Sequence, residues 1–503
     1  MRPARHERLR TTRTTRTTRI ACTTFERPDD PRGVVMSDSA LALRALLTEL
    51  IGVEPPFRIR TWDGAEAGPA DAPLLALTDR RALRHLLWAP NELGLVRAYV
   101  SGAITLPGED DDADNTELYE LLRRLAALAE DRPELSLRPT LRPVPGSALA
   151  PGNLKALFGP DSRRMVATAA RLGAIGPRPP IPPEEVRRSR GPVHTLRRDR
   201  AAISHHYDVG NDFYRLVLGP SMVYSCAYWP PGTTTLEAAQ EAKLDLVCRK
   251  LGLHRLPPGS RLLDVGCGWG SMLLHAARHY GVTGVGVTLS AEQARMARER
   301  IADAGLTDRV EIRLQDYREV VDGPFDAISS IGMAEHVGSA MYLRYAKTLH
   351  GLLRPGGRLL NHQIGRRPTT PGEPYRLSPF IAAYVFPDGE LAPIGTTVSL
   401  LEQAGFEVRD VESLREHYAL TLRRWVANLQ EEWTQAVKLV GLGRARVWRL
   451  YMAACALAFE ENRIGVNQVL AVRTGSGGAS GLPLSRGAWL EDAPARPEED
   501  EGA

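Results

Sequence analysis

The chain has 503 residues, which is more than a single hydrophobic core usually holds, so two domains with connecting segments are expected. Its apolar fraction of 43% and charged fraction of 25% are ordinary for globular proteins, and no stretch approaches the roughly 20 apolar residues that span a bilayer. The net charge of +4 arises in the first 35 residues, so the rest of the chain has no basic character that would indicate nucleic-acid binding.

The five cysteines predict neither a zinc site nor a disulfide framework. They form no CxxC pair and no ligand cluster with histidine, and no metal site is expected. A reducing cytosol is therefore the expected compartment.

Residues 1–35 form a low-complexity segment of Thr/Arg repeats, with nine arginines and four acidic residues. The segment lacks the apolar core of a secretory signal. Two interpretations stay open. One is a disordered basic arm; the other is translation from an upstream start, with Met36 as the true first residue because a capped amphipathic helix begins directly after it.

Residues 36–136 predict a small α+β domain. Leucines recur at helical spacing over 41–52 and 79–89, while "FRIRTW" alternates like a strand that enters a turn at Asp63-Gly64. The acidic run at 109–114 is expected to be solvated.

Residues 137–199 are rich in proline and arginine, which is typical of a linker. The linker is either a solvated tether or a basic strip that meets anionic lipid headgroups. At the other end of the chain, residues 481–503 are expected to form an acidic disordered tail.

The sequence over 200–480 alternates predicted strands with predicted helices. It begins with a strand, a glycine turn and a helix in "SRLLDVGCGWGSMLLHAARHYG" and repeats the plan in "VTGVGVTLSAEQARMARERIADAG". This alternation predicts an α/β domain whose parallel sheet is covered by helices on both faces. Ligands on such sheets bind at the carboxyl ends of the strands, so the residues just after each strand are the candidate site residues.

The first glycine turn, "LLDVGCGWG", places Asp264 at a strand end and glycines at 266, 268 and 270. Glycine allows positive φ and close backbone approach, and the helix that follows offers free N–H groups to an anionic ligand. The spacing is GxGxG with an acid two residues upstream. It resembles the S-adenosylmethionine (SAM) loop of class I methyltransferases more closely than a dinucleotide loop, and no GK[ST] of a triphosphate loop follows.

Two more strand tips carry hydrogen-bonding residues. Thr288 stands where many methyltransferases have the acid that holds the ribose, with Gln293 as the next candidate. Asp316, Tyr317 and Arg318 follow the third strand and are expected near the adenine.

The segment "SSIGMAEHVG" ends a predicted strand with an ionisable pair. Glu335 follows the strand at its carboxyl end, where an α/β sheet places its chemistry. His336 is expected to point the other way in an extended segment, either as a structural residue or as a secondary wall of the SAM pocket.

Seven stretches together resemble the cyclopropane-fatty-acyl-phospholipid synthases and the related mycolic acid cyclopropane synthases. They cover residues 200–475 in order, and they are "ISHHYDVGNDFYRLVLGPSMVYSCAYW", "LLDVGCGWGS", "GVTLSAEQ", "GMAEHVG", "AAYVFPDGELAP", "EHYALTLRRWVANL" and "LAFEENRIGVNQVLAVR". Residues 40–125 also resemble the amino-terminal domain of the bacterial phospholipid enzymes. The resemblance implies a Rossmann-like class I methyltransferase fold with a smaller amino-terminal domain.

The resemblance implies two sets of site residues. The residues implied for SAM are Tyr224, Ser225, Asp264, Gly266, Cys267, Gly268, Trp269, Gly270, Thr288, Leu289, Ser290, Gln293, Asp316, Tyr317 and Arg318. The residues implied for a bound bicarbonate ion are Cys226, Glu335, His362, Ile364 and Tyr418. Glu335 is then expected to share a proton with the anion and to have a raised pKa in a dry site. Cys226 is expected to contribute through its backbone or its thiol, because no base adjoins it to make it a nucleophile.

The implied reaction is transfer of the SAM methyl to a cis double bond of a phospholipid acyl chain, followed by loss of a proton that closes a ring. Aromatic faces stabilise the intermediate cation. About half of a group of aromatic residues is expected to line the acyl tunnel, the group being Tyr207, Phe213, Tyr214, Tyr224, Tyr228, Trp229, Tyr384 and Phe386. Peripheral contact at the inner face of the membrane is expected, and a homodimer stays open.

Two departures from the family pattern leave the acyl specificity and the product open. Ala334 replaces an aromatic residue and is expected to enlarge the pocket beside Glu335, and "LNHQIG" replaces a leucine-histidine-threonine arrangement.

Three other functions remain open from the sequence. A fatty-acyl methyltransferase would leave a methylene group, or a methyl branch if a reductase partner acts next. A small-molecule N-methyltransferase is disfavoured by the long amino-terminal domain, and a non-catalytic lipid-binding or SAM-sensing protein is disfavoured by the presence of Glu335, His362 and Tyr418.

Overall fold

A computed structural model of the chain describes residues 39–109, 114–130, 160–186, 198, 209–369 and 377–491. The predicted basic arm with Met36, most of the predicted linker and Tyr207 lie outside these residues. Within the described part, no helix is long and apolar enough to cross a membrane.

The amino-terminal part combines helices with a small sheet, as its sequence predicts. Four strands pair in the order β2-β1-β3-β4. Their bounds are Arg58–Arg60 (β1), Glu66–Ala67 (β2), Leu74–Leu77 (β3) and Ile104–Thr105 (β4). The helices are Ser39–Ile51 (α1), Arg81–Trp88 (α2), Glu92–Val100 (α3) and Thr116–Glu130 (α4). The predicted turn at Asp63-Gly64 closes with a hydrogen bond from the Thr61 N–H to the Ala65 carbonyl, 2.9 Å long.

Parts of the segments predicted as linker and tail are folded against the rest of the chain. A helix, α5, spans Pro160–Arg171 inside the predicted linker, and the Glu185 carboxylate pairs with Arg97 of α3 at 2.5 Å. Trp489, inside the predicted acidic tail, is buried. The domain boundaries at 136, 199 and 480 stay predictions.

The second sheet has seven strands in the order β10-β11-β9-β8-β5-β6-β7. The strands are Arg261–Val265 (β5), Thr283–Thr288 (β6), Val310–Leu314 (β7), Phe325–Ile331 (β8), Leu353–Arg366 (β9), Glu407–Ser413 (β10) and Ile464–Val472 (β11). β5 to β9 pair in parallel, which confirms the predicted parallel sheet. β11 runs antiparallel to both of its neighbours, which the sequence pattern did not indicate.

Helices cover both faces of this sheet, as predicted for a class I methyltransferase. They are Asn211–Leu218 (α6), Leu236–Leu251 (α7), Ser271–Tyr280 (α8), Ala291–Asp303 (α9), Ala334–Val337 (α10), Ser339–Leu352 (α11), Pro379–Tyr384 (α12), Ile394–Gln403 (α13), Arg415–Glu431 (α14), Trp433–Val440 (α15), Leu442–Glu460 (α16) and Gly487–Leu490 (α17). Because side chains alternate along a strand, Leu262 packs with α7, α8 and α9 while Leu263 packs on the other face with α11 and α13.

A third hydrophobic cluster joins the amino-terminal helices to the helices near the carboxyl ends of the strands. It contains Tyr99 of α3, Phe213 of α6, Trp425 of α14 and Trp448 of α16, all buried. An ion pair between Arg446 and Glu109 reinforces the junction at 2.5 Å. The expectation of a fully solvated acidic run is therefore wrong for Glu109, whose side chain is only 12% exposed.

Arg446→Met is expected to destabilise the protein by about 3–5 kcal/mol, because it leaves the Glu109 carboxylate buried without its partner. The free energy of unfolding in urea measures this change. The control is Arg295→Met, which breaks an ion pair whose side chains are more than half exposed and which is expected to change stability by less than about 1 kcal/mol. A similar small effect in both variants would contradict the expectation.

Candidate active site

A deep cavity opens at the carboxyl ends of β5 to β8, where the sequence predicts the ligand site. It encloses about 1240 Å³, part of it open to solvent. All but two of the residues predicted to hold SAM line it: Tyr224, Ser225, Asp264, Gly266, Cys267, Gly268, Trp269, Thr288, Leu289, Gln293, Asp316, Tyr317 and Arg318.

The other two predicted residues, Gly270 and Ser290, are outside the lining. Gly270 faces α9, and a Cβ there would lie 3.3 Å from the Ala297 Cβ. The Ser290 hydroxyl caps α9 by accepting a hydrogen bond from the Gln293 N–H at 3.3 Å. Both residues hold parts of the cavity wall in position, but they do not form the surface that faces the cavity.

The glycine turn exposes backbone to the cavity at Gly268. This residue has φ +52°, and a Cβ built there would meet no atom within 4 Å. The turn leads directly into α8, which begins at Ser271. The free N–H groups of such a turn and helix end suit the anionic end of a ligand.

At the tip of β6, the Thr288 hydroxyl donates a 2.9 Å hydrogen bond to the Gln293 side-chain oxygen. Both side chains are buried in the cavity wall. Many methyltransferases have an acidic residue at this strand tip, whereas Thr288 and Gln293 present neutral polar groups to the cavity.

At the tip of β7, the Asp316 carboxylate holds Arg318 in place. It accepts from the Arg318 side chain at 2.7 and 2.8 Å and from its N–H at 2.9 Å. Asp316 is 2% exposed, so this pair is a rigid part of the wall. Tyr317 packs edge-on against Tyr345 with ring centroids 5.4 Å apart, which fixes its ring at the cavity surface.

Two buried ionisable groups of opposite sign lie at the base of the cavity. Burial raises the pKa of Asp264 to about 6, although the Ser329 hydroxyl donates to it at 2.7 Å. Burial lowers the pKa of Lys243 to about 8, and its Nζ donates to the Ser225 hydroxyl at 3.1 Å. The sequence interpretation missed Lys243. The available signal was a lysine on the apolar face of α7, one helical turn from Ala239 and Val247.

Glu335 lies beside this cavity in the short helix α10, and its carboxylate is held by β9. Its Oε1 accepts a 2.7 Å hydrogen bond from the Ile364 N–H. Its Oε2 is buried and has no hydrogen-bond partner among the described residues. Burial raises the pKa of Glu335 to about 7.

His362 lies two residues before Ile364 on the same strand and on the same face of the sheet. It is 2% exposed, and neither ring nitrogen has a partner in the part of the chain that the structure describes. Burial first, and then the charges of Lys243 and Lys250, lower its pKa to about 3. His362 is therefore neutral at physiological pH.

Tyr418 of α14 and Cys226 complete the predicted anion-binding set. Burial raises the pKa of the Tyr418 hydroxyl well above its usual value, and nearby Tyr224, Cys226 and Glu335 add to the shift. Burial likewise raises the pKa of the Cys226 thiol, which donates to the Ala227 carbonyl at 3.1 Å. A buried neutral thiol is a poor nucleophile, so the role of Cys226 toward an anion stays a prediction.

These groups fit a small oxyanion. A neutral histidine offers one N–H and a tyrosine one O–H, while a carboxyl group with a pKa near 7 can share a proton with an anion. The unpartnered atoms of Glu335 and His362 are costly in a buried site unless a ligand or water pairs with them.

The expectation that His336 lies in an extended segment is wrong. The residue belongs to α10, and it lines the SAM-type cavity. Its ring lies 5.6 Å from that of Phe386. The pattern around Gly332 and Ala334 predicts a continued extended segment. The strand instead ends and a helix follows, because Gly332 adopts a φ of +70°.

Aromatic rings form a continuous cluster next to the cavity. Tyr224 packs against Trp425 at 5.3 Å and Trp448 at 5.9 Å, and Tyr214 packs against Trp269 at 4.7 Å. The cluster includes Phe213, Tyr214 and Tyr224, which the sequence indicated, together with Trp425, Trp448 and Tyr451, which it did not.

The remaining predicted aromatic residues have varied surroundings. Phe386 packs against Tyr451 at 6.0 Å, and the Tyr384 hydroxyl donates to Glu185 at 3.1 Å. Tyr228 stacks on His417 at 4.9 Å, and the indole N–H of Trp229 donates to Thr421.

Comparison with known proteins shows the family to which the chain is similar. The family model described as mycolic acid cyclopropane synthetase matches residues 194–469. The chain is 42% identical over 437 residues to a probable fatty acid methyltransferase of Mycobacterium tuberculosis, covering 85% of this chain and 94% of that protein. It is 39% identical over 281 residues to the cyclopropane-fatty-acyl-phospholipid synthase of Escherichia coli K12, covering 56% of this chain and 69% of that protein.

Two solved structures resemble the chain with a TM-score of 0.51 and cover 54% of it. One is the cyclopropane synthase MmaA2 from Mycobacterium tuberculosis, 34% identical, and the other is the mycolic acid cyclopropane synthase CmaA1 in complex with SAH and CTAB, 37% identical. Each similarity covers 97% of the solved chain.

Proposed function

The chain belongs to the mycolic acid cyclopropane synthetase family of SAM-dependent methyltransferases, and from that premise we propose that it converts the cis double bond of a phospholipid acyl chain into a cyclopropane ring. One observation supports the ring-forming chemistry above all. Beside the SAM cavity, the Oε2 of Glu335 and both ring nitrogens of His362 are buried and have no hydrogen-bond partner among the described residues. Such a site suits removal of a proton in a region without water.

The first step forms a bond between the SAM methyl carbon and one alkene carbon while the methyl–sulfur bond breaks. An alkene is a weak nucleophile, so the enzyme must align it with the sulfonium methyl and exclude water. The carbocation that remains on the chain is stabilised by aromatic faces, for which Tyr224 and Trp425 are the candidates. Trp425 is buried, and Tyr224 is half-buried against the same cluster, which supports this assignment.

In the second step a proton leaves the transferred carbon, and its C–H electron pair closes the ring. Bicarbonate, which Glu335, His362 and Tyr418 would hold, would supply the base that takes this proton. The His362 N–H and the Tyr418 hydroxyl hold the anion, while the Ile364 N–H fixes Glu335 through Oε1. The free Oε2 of Glu335 is the atom that shares the anion's proton.

The test uses the purified chain, SAM and vesicles of cis-unsaturated phospholipid. We expect the acyl chains to gain one CH2 unit by mass spectrometry and the product to resist ozonolysis, because a cyclopropane ring has no double bond to cleave. Methylation of a soluble amine with no change in lipid mass would contradict the proposal and favour a small-molecule N-methyltransferase.

A second candidate is a fatty-acyl methyltransferase, because the relative from Mycobacterium tuberculosis has that name and covers most of this chain. In such an enzyme a hydride would first shift from the methylated carbon to the cationic carbon, and loss of a proton from the transferred methyl would then leave an exocyclic methylene group, which a reductase partner could convert to a methyl branch. Ozonolysis of the same product separates the two candidates, since only the methylene group is cleaved.

Access to phospholipid acyl chains requires peripheral contact with a membrane, which we place at its inner, cytoplasmic face. Exposed apolar side chains support a contact surface on the amino-terminal part. Leu87 and Trp88 are each 55% exposed and Ile175 is 52% exposed. The Trp88 indole N–H donates to the Gly176 carbonyl, which connects α2 to the segment that contains Ile175. Exposed tryptophan and leucine are typical of such interfacial contacts.

A further inference from the structure

His362 has a polar neighbour across the sheet that neither the motifs nor the comparisons identify. Gln468 of β11 is directly opposite His362 of β9 in antiparallel register. Directly opposite residues point to the same face, and here that face is covered by α7, because Leu360 and Leu470 on the two strands pack against it. The two side chains are therefore adjacent beneath the same helix.

Both side chains are buried and lack partners. Gln468 is 0% exposed, and neither its amide oxygen nor its amide nitrogen has a hydrogen-bond partner among the described residues. The same holds for both ring nitrogens of His362. A buried polar group without a partner costs about 1–3 kcal/mol. Two adjacent groups in this state indicate a function that outweighs that cost.

Gln363, the residue after His362 on β9, is a buried glutamine whose amide oxygen and nitrogen both have hydrogen-bond partners. It points to the opposite face, where its oxygen accepts from Tyr342 at 3.0 Å and from Asn361 at 2.8 Å, and its nitrogen donates to Thr397 at 2.8 Å. Gln468 thus differs from a buried glutamine on the opposite face of the same sheet, whose hydrogen bonds are made.

The chemistry of a neutral imidazole explains why His362 needs a hydrogen-bond donor such as the Gln468 amide. Such a ring has one N–H and one acceptor nitrogen, and which nitrogen carries the hydrogen is set by the partner of the other. To hold an anion, His362 must present its N–H to the anion. Its second nitrogen is then an acceptor and requires a donor, which the Gln468 amide N–H can supply because Cβ atoms of opposite residues are about 4.5–5.5 Å apart.

We propose that Gln468 is a positioning residue that donates its amide N–H to the inner nitrogen of His362 and so fixes the tautomer whose N–H faces the anion. The purpose assigned to that tautomer rests on the proposed function. The placement of the two side chains on one face does not, since it follows from register and burial; the hydrogen bond itself is not formed in this structure and requires rotation of the Gln468 amide or the His362 ring.

The test is nitrogen NMR of the full chain labelled with ¹⁵N-histidine, with the His362 signals identified by their loss in His362→Ala. The wild type is expected to show one tautomer at His362. Gln468→Met, which keeps the length of the side chain and removes the donor, is expected to show a mixture or the other tautomer. The matched control Gln363→Met, on the opposite face, is expected to leave the His362 tautomer unchanged. A single unchanged tautomer in Gln468→Met would overturn the proposal.

Turnover on vesicles gives an independent measurement. Gln468→Met is expected to lower kcat about 10–100-fold with SAH affinity unchanged, and to lower it no further when added to His362→Ala. Equal losses in both backgrounds would show that Gln468 does not act through His362. If Gln468→Met does not fold, Gln468→Glu replaces it: an ionised carboxylate only accepts, so the opposite tautomer or a charged ring is expected. If the tautomer responds but no lipid product forms, the pairing stands and the proposed function fails.

Discussion

Glu335→Gln is expected to bind SAM normally and to lose about 10³-fold of turnover on phospholipid vesicles. The amide keeps the shape of the side chain and the hydrogen bond from the Ile364 N–H, which is 2.7 Å long in the wild type. It removes the ionisable oxygen, Oε2, that has no partner among the described residues. Because Glu335 lies outside the lining of the SAM cavity, the dissociation constant for SAH is expected to stay within about twofold.

The pH dependence gives a second measurement of the same residue. Burial raises the pKa of Glu335 to about 7, so the carboxylate that can accept a proton is the minor form below that pH and the major form above it. Wild-type turnover is therefore expected to rise as pH increases through about 7, and the residual activity of Glu335→Gln is expected to lack this rise. The control Glu402→Gln changes an exposed carboxyl and should match the wild type. Near-normal turnover in Glu335→Gln would reject a proton-sharing role.

Lys243→Met is expected to weaken SAH binding about 10–100-fold, which is the effect of losing a charge-assisted hydrogen bond. Lys243 is 1% exposed and lines the SAM cavity, and its Nζ has only the Ser225 hydroxyl as a described hydrogen-bond partner, at 3.1 Å. Two N–H groups are left for the carboxylate of the methionyl moiety. Asp264, close enough to Lys243 to affect its pKa, then suits the methionyl ammonium group.

Calorimetry with two ligands separates this role from a structural one. SAH carries the carboxylate, whereas 5′-methylthioadenosine lacks the amino-acid part of the molecule. Lys243→Met is expected to lose affinity for SAH and to keep its affinity for 5′-methylthioadenosine. Lys347→Met, at an exposed position, should bind both ligands as the wild type does. Equal losses for both ligands would assign Lys243 a purely structural role.

Lys243→Met is expected to maintain or raise the stability of the fold, although it lowers the affinity for SAH. Burial lowers the pKa of Lys243 from 10.5 to about 8, so the folded state binds this proton less tightly than the unfolded state does. At pH 7 the buried cation therefore opposes folding, and wild-type stability gains from its loss as pH rises from about 8 to 10.5. Lys243→Met should unfold at the same or a higher temperature at pH 7 and should lack that gain.

Much of the site could be predicted from the sequence because its residues follow strands directly. The positions of Asp264, Thr288, Asp316 and Glu335 depend on where a strand ends, and hydrophobic periodicity predicts those ends. In a parallel sheet the carboxyl ends meet at one edge, so residues far apart in the chain could be grouped before their coordinates were known.

The residues that were missed lie on elements whose placement depends on distant contacts. Lys243 lies in the middle of a helix, and nothing local shows that its side chain reaches the base of the SAM cavity. Trp425 and Trp448 approach Tyr224 only because α14 and α16 pack over the carboxyl ends of the strands. The helix at His336 was missed because a four-residue helix has no periodicity to detect.

The α/β class, the glycine turn and the strand-tip residues that line the cavity could be predicted from the sequence, and its family motifs added Glu335, His362 and Tyr418 as candidates. The tertiary structure was needed to see which of these groups have no partner among the described residues, and that Gln468 is opposite His362. Strand order and antiparallel register bring together Gln468 and His362, which are 106 positions apart, and burial then lowers the pKa of His362. Both depend on the packing of the whole sheet, which no local pattern encodes.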